Sequence, residues 1–288
     1  MVFWGGNNAA AKHLIASGWG PFWTSSSRMG LCALLLMLLM RWTPWFGVRR
    51  EPDPALRREL WWRGGLSLAV YAAVFTYSLQ HTSVARVAVF LGASPLWMLL
   101  MEGRGHHGWQ GVRRFAAAFI ALSGVILLFW PQLRGGGNWL GDGLGLLAGV
   151  LWAGYCRLCG AFQGRLNGSE ITAHTMGRAA ILLAPLAAWE IASKPPLLAP
   201  QLVGLQVYCA VFGGVIAFGV WHGALLRWPP GRVFLFNNLI PLTTMLFAWQ
   251  FLGEKVSGTF LLAMALVVAG VILGQTGPPP AAVPPARE

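Results

Sequence analysis

Ten stretches of this chain are apolar and each is about the length that crosses a lipid bilayer. A helix needs about 20 such residues to span a hydrocarbon core of roughly 30 Å. The stretches are Val2–Ala16, Pro21–Met40, Gly64–His81, Val84–Met101, Val112–Trp130, Leu140–Gly160, Ile171–Ser193, Leu202–Leu226, Gly231–Leu252 and Val256–Gly274. Short connections separate them. Runs such as Leu31–Met40 and Ala116–Leu128 do not alternate, which excludes the strands of a membrane barrel. Of the 288 residues, 56% are hydrophobic and 10% charged, and mean hydropathy is positive. A soluble domain carries about a quarter charged residues, so this chain cannot cover a surface facing water. The 37 glycines and 16 tryptophans fit helices packed in lipid. A soluble enzyme, a disulfide mini-protein on four cysteines and a disordered chain are excluded. The expected fold is an all-α polytopic membrane protein.

The net charge of +12 suggests nucleic acid until its distribution is read. The arginines lie in short runs between apolar stretches, as membrane loops require. With the N-terminus in the cytoplasm, the inner segments hold Arg41, Arg49, Arg50, Arg57, Arg58, Arg63, Arg104, Arg113, Arg114, Arg157, Arg165, Arg227, Arg232 and Arg287. The outer segments hold only Arg86, Arg134, Lys194 and Lys255. Positive residues collect inside, so both termini are expected in the cytoplasm, with no nucleic-acid partner. The first span is short: eleven residues precede Lys12, and Asn7 and Asn8 make it too polar for a cleaved signal peptide. The proline-rich end, 276–288, is expected to be a disordered cytoplasmic tail.

The chain repeats itself. Arg86, Phe90 and Pro95 correspond to Arg232, Phe236 and Pro241 at an offset of 146 (86 to 232, 90 to 236, 95 to 241). The same offset carries Gly124-Val125-Ile126-Leu127 onto Gly270-Val271-Ile272-Leu273. Trp4 faces Trp152 at 148, and Arg28 faces Arg178 at 150. Two five-helix halves follow, 1–133 and 134–275. An odd number of helices per half inserts the second copy from the opposite side, the inverted repeat that lets carriers expose one central site to each face in turn.

Trp4-Gly5-Gly6-Asn7 with Lys12, Arg28 in the second helix, Pro95, Gly141-Asp142, Pro241 and Leu252-Gly253-Glu254 occur in the order seen in one known group. Over essentially its whole length the chain resembles EamA-type carriers of the drug/metabolite transporter superfamily. Where the second half has Gly253-Glu254, the first has His107-Gly108. The resemblance implies ten helices around a central cavity and movement of small organic solutes across the cytoplasmic membrane, often outward. It implies no cofactor and does not name the solute.

An ionisable side chain inside a span is a functional candidate. Lys12, Arg28 and Arg178 qualify; snorkelling to headgroups or ties to helix ends are the structural alternatives. Asn7, Asn8, Asn237 and Asn238 donate and accept, which suits a zwitterion, and also serve as links between helices. Tyr71, Tyr77, Trp152, Tyr155 and Trp221 form a candidate aromatic wall. The expected pathway comprises Asn7, Lys12, Arg28, Tyr77, Trp152, Arg178, Trp221 and Asn237. Pro95 and Pro241 are expected to kink the fourth and ninth helices. His174 lies one turn before Arg178, and His222 is either a proton relay or a packing residue. Trp19, Trp23, Trp42, Trp45, Trp61 and Trp62 are read as interface belts. Gly141, Gly145 and Gly149, and Gly270 with Gly274, are read as close-packing stripes.

Cys156-x-x-Cys159 is half a zinc site with no second pair, so no metal is expected. Glu102, Asp142, Glu190 and Glu254 fall near span ends, and no acid occupies mid-span. A buried field of positive sign favours a carboxylate or zwitterion over a cation. No Ser–His–Asp set supports an intramembrane enzyme, and no Gly-rich Lys-Ser/Thr loop supports nucleotide binding. The leading expectation is a secondary carrier exporting amino acids or related carboxylated metabolites. A carrier of drugs or other metabolites with the same fold, and a channel-like pore, are the alternatives.

Overall fold

The computed structural model describes residues 2–47, 51–102, 108–134, 138–240, 242–243 and 258–276. Among them every regular element is a helix, and no strand occurs. The helices are α1 (Val2–Ala16), α2 (Pro21–Trp42), α3 (Pro54–Glu59), α4 (Ser67–His81), α5 (Val84–Gly92), α6 (Ser94–Glu102), α7 (Trp109–Arg134), α8 (Trp139–Cys159), α9 (Gly168–Ser193), α10 (Pro200–Tyr208), α11 (Gly219–Arg227), α12 (Pro230–Leu235) and α13 (Gly258–Gln275). Turns of π-helix over Leu60–Leu66 join α3 to α4, and over Cys209–Phe218 join α10 to α11.

Seven helical rods among the described residues are long and apolar enough to cross a membrane: Pro21–Trp42, Val84–Glu102, Trp109–Pro131, Trp139–Phe162, Gly168–Ser193, Pro200–Arg227 and Gly258–Gln275. The first expected span is a helix of 15 residues, which at 1.5 Å per residue is about 22 Å long. The third lies in the rod 54–81, whose start carries Arg57, Arg58, Glu59 and Arg63. The ninth is described only to residue 243. Pro241, Gly253, Glu254 and the tail from residue 277 lie outside the described residues.

Helix starts and breaks follow from local chemistry. Pro21 opens α2, where its missing N–H costs no bond. The next free donors, the backbone N–H groups of Phe22 and Trp23, reach the Glu190 carboxylate at 3.2 and 2.7 Å. A carboxylate at a helix N-terminus also meets the positive end of the helix dipole. Asn167 and Glu170 close a reciprocal capping box at the start of α9. The fourth rod is interrupted at Ala93, between α5 and α6. Pro95 lacks an N–H and its ring crowds the carbonyl four residues back, at Leu91. The ninth rod changes to a 3₁₀ turn over Phe236–Asn238.

The largest apolar core joins Leu36, Leu68, Tyr155, Phe162 and Ile171. A second joins α7 to α13 through Ala118, Val125, Ala263 and Val267. Gly149 and Gly270, one from each glycine stripe, face neighbouring backbone. A Cβ on Gly149 would stand 2.8 Å from the Phe90 carbonyl oxygen, and one on Gly270 2.6 Å from that of Ala117. Aliphatic side chains such as Leu34, Ile181 and Val220 point outward, as a lipid-facing surface requires. Trp42, Trp45, Trp61 and Trp62 are exposed near rod ends, consistent with belts. Trp19 is not a belt residue. It is buried beside Leu14 and Leu202, and its indole N–H donates to the Leu197 carbonyl at 2.9 Å, because the 195–199 loop folds over it.

Candidate functional site

The rods surround a small cavity, part of it open to the exterior. Its walls come from both interrupted rods and from α1, α2, α4 and α8. α1 contributes Trp4, Asn7 and Asn8, and α2 contributes Arg28 and Met29. Tyr71 and Phe75 come from α4, Leu91 and Gly92 from α5, and Trp152 from α8. Ala88 of α5, Phe218, Asn237 and Ile240 complete the lining. Leu91 and Asn237, 146 residues apart in the chain (91 to 237), both line the cavity, so the segments beside the interruption at Ala93 and within 236–238 meet at one place.

Arg28 dominates the electrostatics. Its guanidinium is half-buried and has no hydrogen bond or ion pair to any described residue. Among the described residues no carboxylate lines the cavity. Glu190 is held by the N-terminus of α2. Asp142 pairs with Arg86 at 3.1 Å and accepts from the Thr82 hydroxyl at 2.9 Å. Amide oxygens add acceptors. Asn7 Oδ1 and Asn237 Oδ1 are buried without partners among the described residues, although Asn237 Nδ2 donates to Ser94 Oγ at 3.2 Å. Buried acceptors left unpaired cost free energy until a donor arrives.

The remaining wall is aromatic. Trp152 stacks on Trp221 at 5.8 Å and meets Tyr71 at 5.1 Å. Trp4 packs on Trp221 and Phe218 at 5.2 and 5.3 Å. The Trp4 indole N–H donates to the Gly213 carbonyl, in the π-helical turns, at 3.0 Å. α1 comes this close because Gly213 has no side chain: a Cβ there would lie 2.5 Å from Asn7 Oδ1.

Four of the eight sequence-predicted pathway residues, Asn7, Arg28, Trp152 and Asn237, come together on this cavity. Trp221 stands behind the lining, buried, with its N–H on Cys156 Sγ at 3.3 Å. The other three lie elsewhere. Lys12 Nζ donates to the carbonyls of Leu79 and Thr82, the latter at 3.0 Å, and so ties α1 to the end of α4. Tyr77 is partly exposed and stacks on Phe22 at 6.2 Å. Arg178 donates to the His174 carbonyl at 3.0 Å and lies over the Trp61 ring at 5.5 Å. Its place is set by Gly65, where a Cβ would stand 2.5 Å from that of Arg178. Arg28 and Arg178, matched by the repeat, therefore face different surroundings. The lining residues Trp4, Tyr71, Phe75, Gly92 and Phe218 were not among the predicted eight. Trp4 had a signal in its 148-residue match to Trp152. Gly92 had one in its 146-residue match to Asn238. Phe75 and Phe218 look like any apolar helix residue.

The EamA-like transporter family matches residues 1–130 and 139–274 of this chain. An uncharacterized transporter of Archaeoglobus fulgidus is 26% identical over 82% of this chain and 82% of its own length. The uncharacterized transporter YyaM of Bacillus subtilis is 23% identical over 94% of this chain and 89% of its own. A crystal structure with 18% identity superposes on 95% of this chain and 93% of its own with a TM-score of 0.75, a likeness of fold alone. The names of the family and relatives indicate a transporter rather than an enzyme, and the helices indicate several membrane crossings. The family match over nearly the whole length, on helices that surround a central cavity, places this multi-pass membrane transporter in the EamA-like transporter family.

Proposed function

We propose that the chain is a secondary carrier that exports amino acids or related carboxylated metabolites across the cytoplasmic membrane by alternating access. The observation that carries this reading is Arg28, a cavity-facing cation without a counter-charge among the described residues. A carboxylate accepts two parallel hydrogen bonds from a guanidinium and supplies the missing charge. The free oxygens of Asn7 and Asn237 are acceptors for an ammonium group. The Trp and Phe wall accommodates an apolar side chain. Two inverted five-helix halves, 1–133 and 134–275, with both termini inside, agree with the shared offset of Leu91 and Asn237 on the cavity and with the excess of arginine in the inner segments. Such halves rock about a fixed central site.

The aromatic lining favours a second reading, a carrier of apolar drug-like solutes. One assay separates them. Purified protein is screened by thermal shift against amino acids, other carboxylates and hydrophobic cations, and stabilising compounds are then tested for flux in proteoliposomes. Stabilisation and saturable flux confined to carboxylate-bearing solutes support the first reading. Flux of hydrophobic cations supports the second, and unsaturable ion conductance supports a pore.

A further inference from the structure

Behind Trp152 and Trp221, outside the cavity lining, α8, α9 and α11 share a buried polar seam. At its centre is His222, 1% exposed. Its Nε2 is 2.8 Å from the Tyr155 hydroxyl and its Nδ1 2.7 Å from Thr172 Oγ1. The Tyr155 hydroxyl is in turn 3.1 Å from Thr175 Oγ1.

The direction of each bond follows from chemistry. Thr172 Oγ1 donates to the Gly168 carbonyl at 2.7 Å, and a carbonyl cannot donate back. The single proton of Thr172 is therefore engaged, so its oxygen accepts from Nδ1–H. Nε2 then accepts from the Tyr155 hydroxyl, whose oxygen accepts from Thr175. Every member of the chain has one donor and one acceptor, and the imidazole is neutral.

A second proton, taken from water onto Nε2, forces a reversal. Tyr155 must turn its proton to Thr175, and Thr175 must fall back on the Thr172 carbonyl at 3.4 Å. Among the described residues the new charge also finds no counter-charge. α8 presents Tyr155, Cys156 and Cys159, α9 presents Thr172 and Thr175, and the π-helical turns present the Phe218 ring at 5.7 Å. The charged groups on the packed elements are engaged or exposed. The Glu170 carboxylate accepts from the Asn167 backbone N–H at 2.8 Å, Arg178 lies on His174, Arg232 is engaged by other groups, and Arg157 and Arg227 are exposed.

We propose that His222 is a proton-binding site and that its protonation opens the seam between α8, α9 and α11. A buried imidazolium without a counter-ion is stabilised by water, which the closed seam excludes. Proton uptake therefore favours the hydrated conformation, and opening in turn favours proton uptake. What the opening serves rests on the carrier reading, in which one end of the central cavity must unpack.

The test is hydrogen–deuterium exchange of the intact protein in lipid nanodiscs, corrected for the chemical exchange rate, from about pH 8 to about pH 5.5. Peptides covering 152–160, 168–176 and 219–227 should open increasingly as pH falls, by up to about tenfold per pH unit, the limit for one proton. His222→Gln, which keeps a donor and an acceptor but cannot take the proton, should be flat. An absent response in the parent, or the same response in His222→Gln, overturns the proposal. If that variant does not fold, Tyr155→Phe decides. It retains the titrating ring but removes the donor to neutral Nε2, so the seam should open more at every pH while still responding to pH; a response that vanishes overturns the proposal. The readout needs no solute. A pH response without carboxylate flux retains the seam and rejects the carrier reading, and flux without a pH response does the reverse.

Discussion

Trp4 and Trp152 stand edge to face, their ring centroids 5.8 Å apart and their planes at 86°. They are 148 residues apart in the chain, at matching places in its two similar halves. Such a pair contributes about 0.5–1.5 kcal/mol beyond the area it buries. Here it also closes one wall of the cavity, because both rings line it. The pair connects the internal repeat, a property of the sequence, to the cavity, a property of the fold.

Shortening this contact should separate packing from hydrogen bonding. Trp4→Phe keeps an aromatic edge toward Trp152 but removes the donor to the Gly213 carbonyl, at a cost of about 1 kcal/mol. Trp152→Ala removes the ring shared with Tyr71, Trp4 and Trp221, at a cost of about 3–5 kcal/mol. Unfolding measured in mixed micelles checks the order. Equal losses for the two variants would mean that the wall does not pack as described.

Lys12 should matter for stability and not for solute affinity. Its ammonium is held by two carbonyls at the end of α4. Lys12→Met should destabilise the protein by about 1.5–3 kcal/mol and leave the dissociation constant of a transported solute unchanged. Weakened binding at parental stability would instead return Lys12 to the pathway.

Much of this molecule was legible before any coordinates. Period, length and loop charge gave the helical rods, since a bilayer leaves few alternatives for apolar stretches of this length. The proline at 95 marked the interruption at Ala93. The aromatic and polar residues of the cavity were only half legible. Asn7, Arg28, Trp152 and Asn237 stood out as polar or bulky groups in apolar spans. Lys12 and Arg178 stood out in the same way yet point elsewhere, because a cation inside a span is equally well satisfied by carbonyls or an indole face. That choice depends on rotation of the helix about its axis, which glycine contacts such as Gly65 against Arg178 determine. Trp19 shows the same limit: being near a helix end does not say whether loop or lipid covers the ring.

The orientation of the chain is open to direct labelling. The described native cysteines, Cys32, Cys156, Cys159 and Cys209, are all buried. Glu51→Cys and Arg134→Cys place single exposed thiols in the loops after the second and fifth rods. A membrane-impermeant maleimide added to intact cells should label the second and not the first. Labelling of both from the same side would contradict the inverted arrangement.

Arg28 is where a carboxylate would find its charge in this cavity. Replacing Arg28 with Gln removes the charge and one arm of the fork but no hydrogen bond to the described protein. The fold should therefore keep its thermal stability. Loss of a charged hydrogen bond to a carboxylate, about 1.5–3 kcal/mol, should weaken binding roughly tenfold to a hundredfold. The measurement is flux of a carboxylate-bearing solute in proteoliposomes, parent against Arg28→Gln, with Arg28→Lys retaining part of the activity through its point charge. Flux by Arg28→Gln at the parental rate, or a verified substrate that is a hydrophobic cation, would contradict the reading of this cavity as a carboxylate site.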